Sequence, residues 1–250
     1  MKKSAAWLIA SLLAGITVIF LYEPRWITEP VFEMPEPKKD VTIVALGDSL
    51  TKGEGDFKRG GYVGYVQNHL EQKERIDDVK VYNYAVIGDT SDGLLKKLKS
   101  EDVLNRVRNA DLILFTIGGN DLMSVVEKHF LGMTREMFEN KRAHYKSNLE
   151  QTFTILREHN AKAKIIYVGM YNPFSAYFPK ATIDDEIIKI WSNTAKQTTS
   201  QYKNAEYVQI YDLFKGMSKK LIYKDNFHPN HAGYDLIGER VMQHITLGET

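Results

Sequence analysis

The sequence predicts an α/β domain in which helices cover both faces of a parallel sheet of about five strands. Short apolar runs that are typical of strands alternate with longer amphipathic segments, and this alternation indicates βαβ units. The runs Leu112–Phe115 and Ile165–Val168 are continuously apolar, as expected for strands that are buried on both faces. Since no internal repeat interrupts the pattern, one domain over residues 41–250 is sufficient to explain it.

The strands are predicted, in chain order, at Thr42–Leu46, Val79–Tyr84, Asp111–Thr116, Lys164–Met170 and Glu206–Ile210. Amphipathic periodicity predicts helices at Gly61–Glu74, Gly93–Arg108, Arg142–Glu158, Ile183–Tyr202 and Gly233–His244. Each of the first four helices lies between two successive strands, and the fifth ends the chain. A helix of this length is the usual connection between parallel strands, so the order of elements favours a parallel sheet.

The N-terminal segment differs from the rest of the chain. Lys2 and Lys3 precede the uncharged segment Ala5–Tyr22, whose length is at the lower edge of a membrane span. We expect residues 1–22 to be an uncleaved anchor; a cleaved signal peptide and a buried helix are the alternatives. Lysines before the segment and glutamates after it favour an N-inside, C-outside orientation. Residues 23–40 hold four of the seven prolines and are predicted to be an extended tether.

Composition excludes several classes of protein. The chain has no cysteine, which excludes disulfides, thiolate catalysis and zinc sites with cysteine ligands. Its formal net charge of +1 gives no reason to expect nucleic acid as a partner.

Four motifs contain residues that could carry chemistry. They are Gly47-Asp48-Ser49-Leu50, Asn83–Ser91, Thr116–Leu122 and Asp225–Tyr234. The first three directly follow predicted strands, and the fourth follows the last strand and precedes the final helix. Because the carboxyl ends of parallel strands lie at one edge of a sheet, we expect the four loops to meet in one crevice.

The order and content of these motifs resemble those of the GDSL or SGNH hydrolases, a family of serine esterases and lipases. The marker residues of that family, Ser, Gly, Asn and His, map onto Ser49, Gly88, Asn120 and His228. Asp225 stands three residues before the histidine, as the family pattern requires. The resemblance extends from about residue 41 to about residue 243. It implies a three-layer α/β/α fold with a parallel, flavodoxin-like sheet, and an esterase that needs no cofactor.

The same residues suit a serine hydrolase on chemical grounds. Ser49 is the predicted nucleophile, and His228 is the base that would take its proton. Asp225 can orient one imidazole nitrogen and leave the other to face the serine. The N–H groups of Ser49 and Gly88 and the side-chain amide of Asn120 are the predicted donors to an oxyanion.

Two other kinds of site use similar residues. Ser49-Leu-Thr-Lys52 has the spacing of the S-x-x-K motif, but the partner motifs S-D-N and K-T-G are absent. His228 and His231 beside Asp225 could suggest a metal site, but no third and fourth ligand stand at a convincing spacing. We therefore predict no metal site, and we expect His231 to cap a helix or to pack.

The predicted function is that of an extracytoplasmic serine esterase or lipase-like acylhydrolase. Alternatives are an acyltransferase or O-acetylesterase that acts on a cell-surface glycan, and a non-catalytic module that binds glycan or lipid. The expected partners are a small-molecule or lipid-like ester and, through the N-terminal helix, a membrane. The apolar segments Leu122–Phe138 and Met170–Phe178 follow two of the predicted strands and could form the walls of an acyl pocket.

Overall fold

The computed structural model describes residues 37–129, 132–172, 185–216 and 218–246. Its described residues form one parallel sheet of five strands in the spatial order β2-β1-β3-β4-β5. The strands are β1 (Lys39–Gly47), β2 (Ile76–Asn83), β3 (Leu112–Thr116), β4 (Lys164–Val168) and β5 (Ala205–Val208). All of these elements belong to one compact unit, Lys38–Thr250.

The helices of the described residues lie between the strands and after the last one. They are α1 (Ser49–Lys52), α2 (Gly61–Glu71), α3 (Ser91–Lys97), α4 (Glu101–Arg108), α5 (Gly119–His129), α6 (Arg135–His159), α7 (Asp185–Thr199), α8 (Tyr211–Phe214), α9 (Ser218–Leu221) and α10 (His231–Met242). The predicted alternation of strands and helices is therefore confirmed.

Both faces of the sheet are buried. Along β1, Ile43 and Ala45 belong to the apolar core on one face, whereas Val44 and Leu46 belong to the core on the other. Helices α2 and α10 pack against each other over the first face, and α6 and α7 cover the second. Because successive residues of the central strands β3 and β4 enter the two cores in turn, these strands have no polar face, which explains their continuously apolar runs. The predicted three-layer architecture is confirmed.

One predicted helix is wrong. The segment Gly93–Arg108 is two helices, α3 and α4, with Ser100 in an extended conformation before α4 begins. Leu98 and Val103 are both buried in the same core. In a continuous helix, residues five apart point about 140° away from each other, so a break allows both side chains to face the sheet. The apolar pattern continued through the break and concealed it.

The strand order locates the expected crevice at the carboxyl ends of β1 and β3. From β1 the chain first adds β2 on one side and then β3 on the other, so the order reverses between β1 and β3. This order, 2-1-3-4-5, is the flavodoxin-like one, and ligands of such sheets bind at the carboxyl ends of the strands at the reversal. Gly47, the last residue of β1, pairs with Thr116, the last residue of β3, so both strands end at this point.

The predicted anchor at residues 1–22 and most of the tether at 23–40 lie outside the described residues. Among the helices that are described, none is sufficiently long and apolar to cross a membrane.

Candidate active site

The turn after β1 can be made only with glycine. Gly47 has a φ of 106°, and a Cβ atom added there would lie 1.8 Å from the carbonyl oxygen of Thr116. The next residue, Asp48, donates its N–H to the same carbonyl at 3.2 Å. The two strand ends therefore approach so closely that a side chain at position 47 has no space, and Ser49 follows directly.

The Asp48 side chain organises the start of α1. Its carboxylate accepts the N–H of Leu50 at 3.1 Å and the hydroxyl of Thr116 at 2.6 Å. Thr51 bonds to the Thr116 hydroxyl at 2.8 Å and to that of Tyr62 at 2.7 Å, so the buried hydroxyls form a chain that ends at the carboxylate. Burial raises the pKa of Asp48, although these hydrogen bonds and the charge of His228 oppose the shift.

Ser49 is the first residue of α1 and is only 6% exposed. Its Oγ atom lies 2.7 Å from Nε2 of His228. Because the first N–H groups of a helix have no partner within the helix, the N–H of Ser49 is available to another acceptor. The structure therefore brings the predicted nucleophile and the predicted base into contact.

His228 lies on a loop between α9 and α10 that Asp225 holds together. The Asp225 Oδ2 atom is 2.7 Å from Nδ1 of His228. Its Oδ1 atom accepts the N–H groups of Phe227 and His228, at 2.9 and 3.0 Å. Burial alone would raise the pKa of Asp225, but hydrogen bonds from the His228 ring and from these two N–H groups outweigh it and lower the pKa.

The contacts of the ring define the position of its proton. A carboxylate can only accept, so Nδ1 of His228 donates to Asp225. Nε2 is then the unprotonated nitrogen and accepts the hydroxyl proton of Ser49. This arrangement of serine, histidine and aspartate can activate a hydroxyl for attack on a carbonyl carbon.

Asn120 is the second residue of α5, which follows β3, and Gly88 lies on the loop after β2. The Asn120 amide donates to the carbonyl oxygen of Asp89 at 2.8 Å, which places the amide next to the residue that follows Gly88. The Gly88 loop is joined to the nucleophile turn, because Val86 donates its N–H to the Gly47 carbonyl at 2.8 Å. Gly88 has a φ of 79° and no atom within 4 Å of an added Cβ. The four marker residues thus lie at one edge of the sheet, Ser49 and Asn120 at the starts of helices and Gly88 and His228 on loops.

Sequence reasoning did not single out the buried carboxylate next to Asn120. Asp121 is fully buried and accepts the N–H and the hydroxyl of Ser91, at 2.8 and 2.7 Å. The ammonium group of Lys141 lies 3.3 Å away, and Asn148 donates to the Ser91 hydroxyl at 3.0 Å. These contacts tie the start of α5 to α3 and α6, and so hold Asn120 in place. In the sequence, only the position of Asp121 directly after Gly118-Gly119-Asn120 could have indicated its role.

A largely apolar cavity of about 80 Å³ opens next to Ser49. One water molecule needs roughly 10–15 Å³, so the cavity has room for a larger group. Its apolar lining includes Leu50, Ile117, Leu122, Met123, Val168, Met170, Tyr171, Ile188 and Phe227. Each of the two predicted wall segments contributes residues at its beginning. Met133 packs against the core and does not line the cavity. Phe130 and residues 173–178 lie outside the described residues.

The two alternative sites do not form as their motifs would require. Lys52 is exposed at the end of α1, and the group that reaches the Ser49 hydroxyl is the His228 ring. His231 begins α10 and lies 3.3 Å from Asp56, whereas His228 faces Ser49. Within the described ranges, no three His, Asp or Glu side chains are grouped as metal ligands would be.

Comparison with known proteins gives consistent results. Residues 45–236 match the sequence model of the GDSL-like lipase/acylhydrolase family. The uncharacterized protein YpmR of Bacillus subtilis strain 168 is 40% identical over 210 residues, which are 83% of this chain and 82% of that protein. The spore germination lipase LipC of Bacillus licheniformis is 27% identical over 202 residues, or 79% of this chain and 92% of LipC.

A solved structure has a similar fold. The lipase Lip_vut3 from a goat rumen metagenome superposes with a TM-score of 0.74 at 25% sequence identity. The superposition covers 82% of this chain and 97% of that one.

Proposed function

The chain belongs to the GDSL-like lipase/acylhydrolase family of ester-bond hydrolases, and from this premise we propose that it cleaves carboxylic esters through an acyl-enzyme on Ser49. The observation that carries the proposal is the line of contacts from Ser49 through His228 to Asp225, with two distances of 2.7 Å. Such a line supplies a nucleophile, a base and a group that orients the base.

In the proposed reaction, the Ser49 oxygen attacks the carbonyl carbon of the ester while Nε2 of His228 takes the hydroxyl proton. The tetrahedral oxyanion accepts hydrogen bonds from the N–H groups of Ser49 and Gly88 and from the Asn120 amide. An amide has two N–H donors, so Asn120 can keep its bond to Asp89 and still donate to the oxyanion.

The intermediate then collapses and expels the alcohol, which receives the proton from His228. A water molecule attacks the acyl-enzyme, again with His228 as the base, and the released acid restores the serine. Asp225 stays ionised throughout and stabilises the protonated imidazole, in keeping with its lowered pKa.

A short-chain fluorophosphonate probe tests this assignment. The probe should label the full-length protein once, and the modified peptide should contain Ser49. With a p-nitrophenyl ester, a burst of product before steady turnover should report the acyl-enzyme. A label on another serine would refute the assignment, and no label and no turnover with any ester would refute the esterase proposal itself.

We also propose that the substrate has a lipid-like or medium-chain acyl group. The cavity beside Ser49 is lined mainly by aliphatic, methionine and aromatic side chains, and methionine adapts to varied apolar ligands. The similarity to LipC, a protein named as a lipase, is consistent with this choice.

Chain-length profiles test the substrate. The value of kcat/KM should rise from acetate to medium-chain p-nitrophenyl esters. Met123→Ala or Ile188→Ala should lower kcat/KM more for the longer esters. Met133→Ala is the matched control, since Met133 packs on the core without lining the cavity. A wild-type preference for acetylated glycans would favour the O-acetylesterase alternative.

We further propose that the enzyme acts outside the cytoplasm and is tethered by its N-terminus. The support is the uncharged segment Ala5–Tyr22 with lysines before it and a proline-rich stretch after it. The full-length protein should fractionate with membranes and resist high salt, because the attachment is apolar. A protein that begins at Lys38 should be active without membrane. A mature N-terminus near Gly15 would instead show a cleaved signal.

A further inference from the structure

One partly buried tyrosine contacts the peptide bond next to the catalytic histidine. Tyr171 follows β4, and its hydroxyl donates to the carbonyl oxygen of Phe227 at 2.5 Å. That carbonyl belongs to the peptide unit that joins Phe227 to His228. The N–H of the same unit donates to Oδ1 of Asp225 at 3.0 Å. Two side chains, from loops 54 residues apart, therefore hold the two ends of one peptide unit.

Holding both ends of a peptide unit restricts the direction of the side chain that follows. The unit is planar, so bonds at its oxygen and at its nitrogen fix the plane against rotation. The plane determines where the Cα atom of His228 lies and hence where its ring can point. The ring must satisfy Asp225 at Nδ1 and Ser49 at Nε2, both at 2.7 Å, so a small rotation of this plane disturbs both contacts.

Tyr171 is itself held firmly. Its ring stacks on Phe214 at 4.3 Å between ring centroids, and Phe214 is buried in the core below α10. Burial raises the pKa of the Tyr171 hydroxyl well above its ordinary value, and the charge of Asp225 raises it further. The hydroxyl is therefore protonated at every pH at which an esterase is assayed, and it is always a donor.

We propose that Tyr171 is a positioning residue, which keeps the peptide unit before His228 in the orientation that the Ser49–His228–Asp225 contacts require. The proposal rests on the proposed esterase mechanism, because the two hydrogen bonds matter only if His228 acts as the base. Tyr171 also lines the cavity beside Ser49, so its ring forms part of the acyl wall while its hydroxyl holds the loop.

Tyr171→Phe separates these two parts, because it keeps the ring and removes the hydroxyl. We expect kcat to fall about 10-fold, the size expected for one hydrogen bond, with KM unchanged for esters of every chain length. The rate of fluorophosphonate labelling should fall by a similar factor. Tyr202→Phe is the matched control: it also removes a hydroxyl that donates to a carbonyl, that of Glu150 at 2.9 Å, but away from the site. It should leave kcat unchanged.

A double-mutant cycle distinguishes positioning from a general loss of stability. Asp225→Ala releases the other end of the same peptide unit, so in that background Tyr171→Phe should slow labelling less than 3-fold. Equal losses in both backgrounds, or a rise in KM that grows with chain length, would overturn the proposal and leave Tyr171 as cavity wall. An inactive wild type would refute the esterase proposal, whereas an active wild type with an unaffected Tyr171→Phe variant would refute only this inference.

Discussion

Ser49 and His228 touch each other, yet the segments that carry them are held by different kinds of contact. The Ser49 turn joins a central strand to a helix, and its backbone is bonded to β3 through the Thr116 carbonyl. The His228 loop is irregular and its backbone is bonded mainly to itself, as where the N–H of Tyr223 donates to the His228 carbonyl at 2.7 Å. The side chains of Asp225 and Tyr171 hold the peptide unit before His228. The two segments also differ in burial, because Ser49 is 6% exposed and the side chain of Asp225 is 34% exposed.

This difference separates fold stability from catalysis. Around Ser49 the contacts that place the nucleophile are also contacts of the sheet, so a backbone change there should weaken the fold. On the His228 loop, the hydrogen bonds of the Asp225 and Tyr171 side chains can be removed without removing the backbone bond from Tyr223 to the His228 carbonyl. A substitution there should lower turnover while the free energy of unfolding changes little.

The largest expected effect tests whether the two segments act as one catalytic unit. Ser49→Ala and His228→Ala should each lower kcat by about 10⁶-fold, and the double variant should lose no more than either single one. The reason is that the serine is a weak nucleophile without the base, and that without the serine no intermediate forms on which His228 can act. Kinetic assays with purified variants measure the losses; multiplicative losses would show that the two residues act independently.

Asp225→Asn is the graded control for that experiment. An amide still accepts the N–H groups of Phe227 and His228, so the loop should keep its shape. Because the negative charge that stabilises the imidazolium is lost, kcat should fall on the order of 10⁴-fold, which is less than for His228→Ala.

The second prediction concerns Asn120, the proposed oxyanion donor at the start of α5. Asn120→Ala should lower kcat on the order of 10²–10³-fold and leave KM nearly unchanged, because the amide is needed mainly when charge develops on the oxygen. Asp121 should still hold the start of α5, so thermal stability should be close to that of the wild type. A rise in KM at unchanged kcat would place Asn120 in substrate binding.

The third prediction concerns the backbone of the turn before Ser49, which the substitution Gly47→Ala should disturb. Gly47→Ala places a methyl group 1.8 Å from the Thr116 carbonyl at a φ of 106°, so we expect a loss of about 2–4 kcal/mol in the free energy of unfolding. Gly88→Ala is the matched control. It also has a positive φ, of 79°, but open space around the added atom, so it should lose only about 1–2 kcal/mol.

Urea denaturation of both glycine variants measures the difference. The Gly88→Ala variant should keep most of its activity, since the substitution leaves the N–H group in place. Equal destabilisation by the two substitutions would mean that the close approach of β1 to β3 is not what requires glycine at position 47.

The smallest expected effect is a change of stability with pH. It arises from Asp48 and Asp225, whose pKa values shift in opposite directions. The pKa of Asp48 is raised in the folded protein, so the contribution of Asp48 to stability falls as the pH rises above about 3.8. The pKa of Asp225 is lowered, so it stabilises the fold above pH 3.8 and this contribution is lost as the pH falls below that value.

Asp48→Asn should therefore gain stability relative to the wild type as the pH rises from about 3.8 towards neutrality. Asp225→Asn should gain relative to the wild type only as the pH falls below about 3.8. Melting temperatures across this range measure both trends. The same trend in both variants would show that burial does not dominate at Asp48.

The sequence by itself determined the fold class, the position of each strand to within a few residues, and the candidate residues Ser49, Gly88, Asn120, Asp225 and His228. These features have local causes. A strand buried on both faces must be apolar throughout, and the turns that bring backbone close to a neighbour require glycine beside small polar residues. The predicted family and architecture are confirmed by the family match and the sheet topology.

Only the tertiary structure decided which residues support those candidates. The contacts of Thr116 and Tyr171 have no local signal, because a residue with a hydroxyl group at or after a strand end has the same sequence pattern whether it packs in the core or touches the site. Thr116 meets Asp48 across 68 residues of chain, and Tyr171 meets Phe227 across 56. Such contacts depend on strand order, and neither periodicity nor turn chemistry, which act over a few residues, contains that information.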